Sequence, residues 1–306
     1  MPPLTWSTLL TEWDLPVPAV VLLATAGVGY VAAAVQRPGW PWGRAVAFLT
    51  GTGLAVFAVG GAVNAYSDVL FSMHMAQHLL LIMVVPALLL LGRPLDLVLG
   101  RPRRVLGRAA RPLGVVTHPA VGFAGYTAVV VGTHLTPFLQ SALTSPLAHG
   151  VEELLYLGSG LLLLLPLVGV RPGRPPLSHL ARLVVLFGAM VVDAVVGVVL
   201  MMTPAEPFPA YAAVVRYWGP GLVEDLHWGG AAMWVGGDAL MAALAVFVIG
   251  RWMSAMDRGD DLGTWLESAR RSALDLGEGT AVDDDEEALR SYNAMLARLA
   301  GQETGH

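Results

Sequence analysis

The chain has 306 residues, of which 55% are hydrophobic and only 13% charged, well below the quarter or so of an ordinary soluble domain. It has no cysteine, which excludes disulfides, thiolate metal sites and cysteine nucleophiles, and its basic side chains are all arginine, which excludes a Schiff-base lysine. The formal charge of −5 comes mostly from an acidic C-terminal segment, so no nucleic-acid partner is expected.

Taken in chain order, the start lacks a basic stretch followed by a small-residue cleavage site, and no signal peptide is expected. Seven apolar runs follow, at 17–35, 43–63, 70–91, 115–134, 147–168, 180–202 and 228–250. Each is close to the length a helix needs to cross the hydrocarbon core. Breakers separate them, among them Arg37-Pro38-Gly39, Gly92-Arg93-Pro94, Arg171-Pro172-Gly173 and Thr203-Pro204. The expected fold is an all-α membrane protein, a seven-transmembrane-helix bundle over residues 1–252.

Arginine fixes the expected orientation. The first connector carries Arg37 and Arg44, the third Arg93, Arg101, Arg103, Arg104, Arg108 and Arg111, the fifth Arg171 and Arg174, and Arg251 follows the last span. The second and fourth connectors have none, and the sixth has only Arg216. The positive-inside rule then puts the N-terminus outside and the C-terminus in the cytoplasm. Residues 253–306 form an acidic tail. Its run Asp283-Asp284-Asp285-Glu286-Glu287 precedes an amphipathic helix marked by Leu289, Tyr292, Leu296 and Leu299.

Five of the eight histidines fall at outer ends of spans. They are His74 and His78 at the start of the third, His134 at the end of the fourth, His149 at the start of the fifth and His227 at the start of the seventh. His74 and His78, at i and i+4, share a helix face. His149 shares a face with Glu152 and Glu153; Asp68 stands before the third span and Asp225 before His227. Met73, Met75, Met201 and Met202 lie at similar depth, and Met75 is the thioether best placed beside the histidine pair. Imidazole suits copper and zinc, thioether favours Cu(I), and carboxylate adds charge. For any single histidine the plain reading is an interfacial polar residue; the set carries the metal reading. Gln77, on another face, is expected to hydrogen-bond between helices. Asp193 and Asp238 lie deeper, as a hydrogen-bonded packing pair or the lining of a path.

The motif His74-Met75-Ala76-Gln77-His78-Leu79-Leu80-Leu81, followed by Pro86-Ala87-Leu88-Leu89-Leu90-Leu91-Gly92-Arg93-Pro94, resembles the signature of the multi-span CtaG family of bacterial cytochrome c oxidase assembly proteins. So do Thr133-His134-Leu135-Thr136-Pro137-Phe138, Pro146-Leu147-Ala148-His149, Pro166-Leu167, Glu224-Asp225 with Gly229-Gly230 and Met233-Trp234, and Glu287-Ala288-Leu289-Arg290-Ser291-Tyr292-Asn293 in the tail. The resemblance covers roughly residues 40–290. It implies a seven-span, non-enzymatic protein of the bacterial cell membrane, needed for copper incorporation into haem–copper oxidase. It assigns metal handling to His74, His78, His134 and His149. Where the family commonly places a second histidine four residues after position 149, this chain has Glu153, so the fifth span offers an imidazole and a carboxylate.

The leading expectation is therefore a copper-binding assembly factor, taking Cu(I) or Cu(II) through a His/Met/carboxylate site at the outer helix ends. His74, His78, His134, His149, Glu153, His227 and Met75 are its candidate ligands. Asp68, Glu152, Asp225, Asp193, Asp238, Met201 and Met202 are candidate supporting or pathway residues. Expected partners are oxidase subunits, membrane lipid and an extracytoplasmic copper chaperone, with a homo-oligomer compatible. Two readings from other classes stand beside it: a seven-span zinc hydrolase with a carboxylate as general base, in which Ser67 and Ser72 are the serines nearest the histidines, and a b-type haem protein using His78 with His134 or His149.

Overall fold

A computed structural model describes residues 1–99, 117–168, 177–256, 270–274, 282–284 and 286–303. Arg101, Arg103, Arg104, Arg108, Arg111, Arg171 and Arg174, on which the orientation leans, lie outside the described residues. Two units cluster separately, Met1–Ala245 and Val246–His306.

Every described element of the first unit is helical, as its composition requires: backbone polar groups within a bilayer must be satisfied inside their own segment. Helix α1 is Val17–Val35, and α2 is Trp42–Gly60, broken at Gly61 and continued as α3, Ala62–Ser67. The third span is α4, Phe71–Leu79, a π-helical turn at Leu80–Val84, and α5, Val85–Leu91. Then come α6, Pro119–His134, a short α7, Phe138–Thr144, and α8, Pro146–Leu167. Helix α9 is His179–Met202. The last span is α10, Leu222–Ala231, a second π turn at Ala232–Gly236, and α11, Gly237–Met256.

Six helices among the described residues are long and apolar enough to cross a membrane, which makes this a multi-pass membrane protein. The fourth expected span, 115–134, is represented by α6, whose 16 described residues rise about 24 Å at 1.5 Å each, short of a bilayer core of about 30 Å. Helix α1 is peripheral: only Gly27 and Tyr30 of its 19 residues are buried.

Glycines let helices cross closely, and two such crossings flank the third and last spans. A Cβ added at Gly160 of α8 would collide with the backbone carbonyl of Ile82 in the first π turn. Pro86 has no N–H to return to that same carbonyl four residues back, so sequence and packing both disturb the helix there. At the other crossing, Gly197 of α9 and Gly230 of α10 each face the other's carbonyl, and a Cβ at either would come within 2.7 Å.

In the second unit, a 3-10 turn at Val282–Asp284 precedes α12, Glu286–Glu303, with Glu286 and Glu287 in its first turn, the favourable end for acidic side chains. Arg270 pairs with Asp283 at 3.0 Å and lies over the Tyr292 ring, 5.0 Å from its centroid.

Candidate metal centre

Helix α4 presents His74 and His78 one turn apart, as their spacing predicts, and α8 brings Glu152 between them. His74 Nε2 lies 3.2 Å from one Glu152 carboxylate oxygen, and His78 Nε2 lies 3.5 Å from the other. All three side chains are buried, His74 and Glu152 completely. A carboxylate only accepts, so His74 turns a protonated Nε2 towards Glu152, whereas the Glu152 oxygen facing His78 is buried without a hydrogen-bond partner among the described residues. The Nδ1 atoms of both histidines are buried without a hydrogen-bond partner among the described residues. Two imidazoles and a carboxylate offer three ligand atoms within 4.8 Å of one another, a set that fits a borderline transition-metal ion. A cation bound through His74 Nε2 would displace the proton held there.

A second pair adjoins this group. The His134 ring at the end of α6 lies 5.4 Å from that of His78, and its Nε2 is 3.1 Å from the Met75 sulfur. Met75 is buried, one helical turn N-terminal to His78. Tyr156 of α8 stacks on His78 at 3.6 Å and nearly parallel; its hydroxyl reaches Thr133 Oγ1 at 2.7 Å and His134 Nδ1 at 3.3 Å. His134 Nδ1 also lies 2.9 Å from the Val130 carbonyl oxygen. These contacts fix both ring orientations, as partners behind metal-ligating histidines generally do.

His149 lies one step outward. Its ring is 5.4 Å from that of His74, its Nδ1 is 3.8 Å from Asp68, and its Nε2 is 3.3 Å from Gln77 Oε1 and 3.9 Å from Glu153. Gln77 is the interhelical link its position suggests, its amide nitrogen lying 2.9–3.0 Å from Glu153 Oε1, Asn64 Oδ1 and the Ala58 carbonyl oxygen, which share its two N–H groups. The carboxylate inside the buried group is thus Glu152, while Glu153 faces Gln77 and His149.

The remaining candidates lie elsewhere. His227 Nε2 lies 3.1 Å from the Thr203 carbonyl oxygen, so the structure does not bring it to His74 and His78. Asp225 accepts from the Phe71 N–H at 2.7 Å and from the Ser72 N–H and hydroxyl, capping α4. Met201 packs at the Gly230 crossing, and Met202 is exposed. Asp193 accepts the Tyr126 hydroxyl at 2.7 Å rather than pairing with Asp238. Asp238 Oδ1 is buried with no hydrogen-bond partner among the described residues. Sequence reasoning missed Tyr126, Thr133 and Tyr156. A hydroxyl in the middle of an apolar span, which must find a partner when buried, was the available signal.

A family model described as "Cytochrome c oxidase caa3 assembly factor (Caa3_CtaG)" matches residues 26–255. The chain is 31% identical over 320 residues to an uncharacterized protein of Mycobacterium bovis, a match spanning 97% of this chain and 46% of that one. It is 30% identical over 293 residues to an uncharacterized protein of Mycobacterium leprae, spanning 90% of this chain and 42% of the other. The chain therefore spans less than half the length of these relatives. No solved structure matches. The matched region contains α4, α6 and α8, which carry every side chain of the buried group, and the chain belongs to the cytochrome c oxidase caa3 assembly factor family.

Proposed function

We propose that this protein binds copper within the membrane and helps deliver it to cytochrome c oxidase during assembly, as a non-catalytic factor of the bacterial cell membrane. One observation carries the reading: His74, His78 and Glu152 converge in a buried group, where a carboxylate with two imidazoles needs a compensating role. The adjoining His134–Met75 pair favours copper over zinc, because a thioether is a soft ligand suited to Cu(I). In this reading seven spans cross the membrane, the N-terminus is outside, and the histidines face the extracytoplasmic side. The recipient is an oxidase subunit, and the donor an extracytoplasmic chaperone or free copper.

The other two readings have less support. The two serines nearest the histidines, which the zinc reading would draw on, are engaged elsewhere: Ser72 Oγ donates to Asp225 and Ser67 Oγ to the Asn64 carbonyl. A haem held by His78 and His134 would need their Nε2 atoms across one plane, whereas these atoms face Glu152 and Met75.

The test is metal analysis of the detergent-purified protein beside His74→Ala/His78→Ala. A copper stoichiometry retained by wild type and lost in the double variant supports the reading. Copper-free wild type after reconstitution, or a double variant that still binds as wild type does, sinks it.

A further inference from the structure

A cleft of about 500 Å³ opens beside the buried group. It lies where the segment before α1, the second connector and the fourth connector meet, which is one end of the helices. Asp14, Asn64, Asp68, Ser145, His149 and Glu153 are among its polar lining residues. Three of these are acids, and neither arginine nor lysine lines it. Its volume holds on the order of ten waters at about 30 Å³ each, enough for an ion that keeps its hydration shell.

Exposure is graded along the cleft. The Asp68 side chain is 61% exposed, those of Glu153 and His149 are 17% and 14%, and His74 beyond them is fully buried. The spacing is graded as well. Asp68 is 3.8 Å from His149 Nδ1, Glu153 is 3.9 Å from His149 Nε2, and the His149 and His74 rings are 5.4 Å apart. Gln77 sits on the inner side, its carbonyl oxygen towards His149 and its amide towards Glu153. An acidic mouth with low-dielectric walls concentrates cations and speeds their arrival. An imidazole with a carboxylate at each of its two nitrogens, Asp68 at Nδ1 and Glu153 at Nε2, offers an arriving ion protein ligands to exchange for water one at a time.

We propose that this cleft is the entrance for the metal, and that Asp68, His149 and Glu153 form a transfer station where a hydrated copper ion loses water before passing to His74, His78 and Glu152. The station is open and holds its ion weakly, whereas the inner group is closed and holds it tightly. The inference rests on the copper reading above and adds to it a route, a direction and a division of labour between the two carboxylates of α8. Asp68 acts by charge, His149 by ligation, and Glu153 by both.

The experiment follows copper loading of the full-length, detergent-purified protein by stopped flow, with Cu(II) and separately with Cu(I) held in a weak competing chelator. Wild type, Asp68→Asn and His149→Ala are compared at two ionic strengths, together with His74→Ala/His78→Ala. Asp68→Asn is expected to load about three- to tenfold more slowly at low salt, with the difference shrinking at high salt. His149→Ala is expected to load at least tenfold more slowly, and both variants should reach the wild-type stoichiometry. The His74→Ala/His78→Ala variant should keep a weak Cu(II) signal from nitrogen ligation, abolished by adding His149→Ala. Wild-type loading rates in both cleft variants would overturn the entrance while leaving the copper reading intact. Absence of copper from wild type, with no weak signal in the double variant, would overturn both. Thermal melting of the cleft variants reports whether they fold.

Discussion

The Asp225 carboxylate accepts a 2.7 Å hydrogen bond from the Phe71 backbone N–H, although 154 residues separate them. Helix α4 has no side-chain cap of its own, since Leu70 occupies the N-cap position. Asp225 supplies that cap from the last span, together with a charge at the positive helix end. The turn it fixes leads directly to His74. Asp225→Ala is expected to lower stability by about 1–2 kcal/mol and to weaken copper binding without removing a ligand. Asp225→Asn should recover part of the stability. Thermal melting in detergent and a copper titration on both variants separate a cap from a ligand, because a lost ligand would not be rescued by asparagine.

Met75 tests the choice of metal. Met75→Leu keeps the volume and should cost less than about 1.5 kcal/mol. It removes the only sulfur within reach of His134 Nε2 among the described residues. Cu(I) affinity should fall by about tenfold or more while zinc affinity stays within about twofold, because only the soft ion uses the thioether. Equal losses for both ions would place Met75 in packing alone.

Tyr126 is the only described side chain that hydrogen-bonds Asp193, so Tyr126→Phe leaves a carboxyl group without a partner inside a span. Leaving a buried polar group unsatisfied costs about 1–3 kcal/mol, and the melting temperature should fall accordingly. Copper stoichiometry should not change, because Asp193 is outside the histidine group. A lost copper site would instead connect the two regions.

Glu206 lies between α9 and α10, outside the spans, and burial raises its pKa above the usual carboxylate value although it accepts from the Phe208 N–H. The folded state therefore holds this proton more tightly than the unfolded state. Stability from this group is present at low pH and declines as pH rises through the window between the unfolded and folded values. Glu206→Gln, which keeps an oxygen for Phe208, should match wild type in acid and melt higher at neutral pH. A melting temperature that falls at neutral pH would show that the charge is stabilising.

The spans were legible because an apolar run of membrane length has few other readings, and α1, α8 and α9 begin and end within a residue of the expected limits. The HxxxH pair was legible because two residues on one helix fix their own spacing. The choice between Glu152 and Glu153 was not. They are adjacent on α8, about 100° apart around its axis, and both share a face with His149. Only the rotation of α8 against α4, set by Gly160 on the Ile82 carbonyl, turns Glu152 inward. His227 was grouped with the other histidines by depth alone, and depth does not say which way an imidazole points.

The π turn at Leu80–Val84 begins two residues after His78. In effect it is a one-residue insertion, and it shifts the phase of everything before it by about 100° relative to α5. Below the turn, α5 packs against α2, where Gly51 meets Leu88 and Leu89. Above it, the histidines face α8. A regular helix could not satisfy both neighbours with this sequence. Removing one residue from Leu80–Val84 would leave hydropathy and span length almost unchanged, yet it would point His74 and His78 away from Glu152. The length of the third span is thus a specification of angle as much as of membrane thickness.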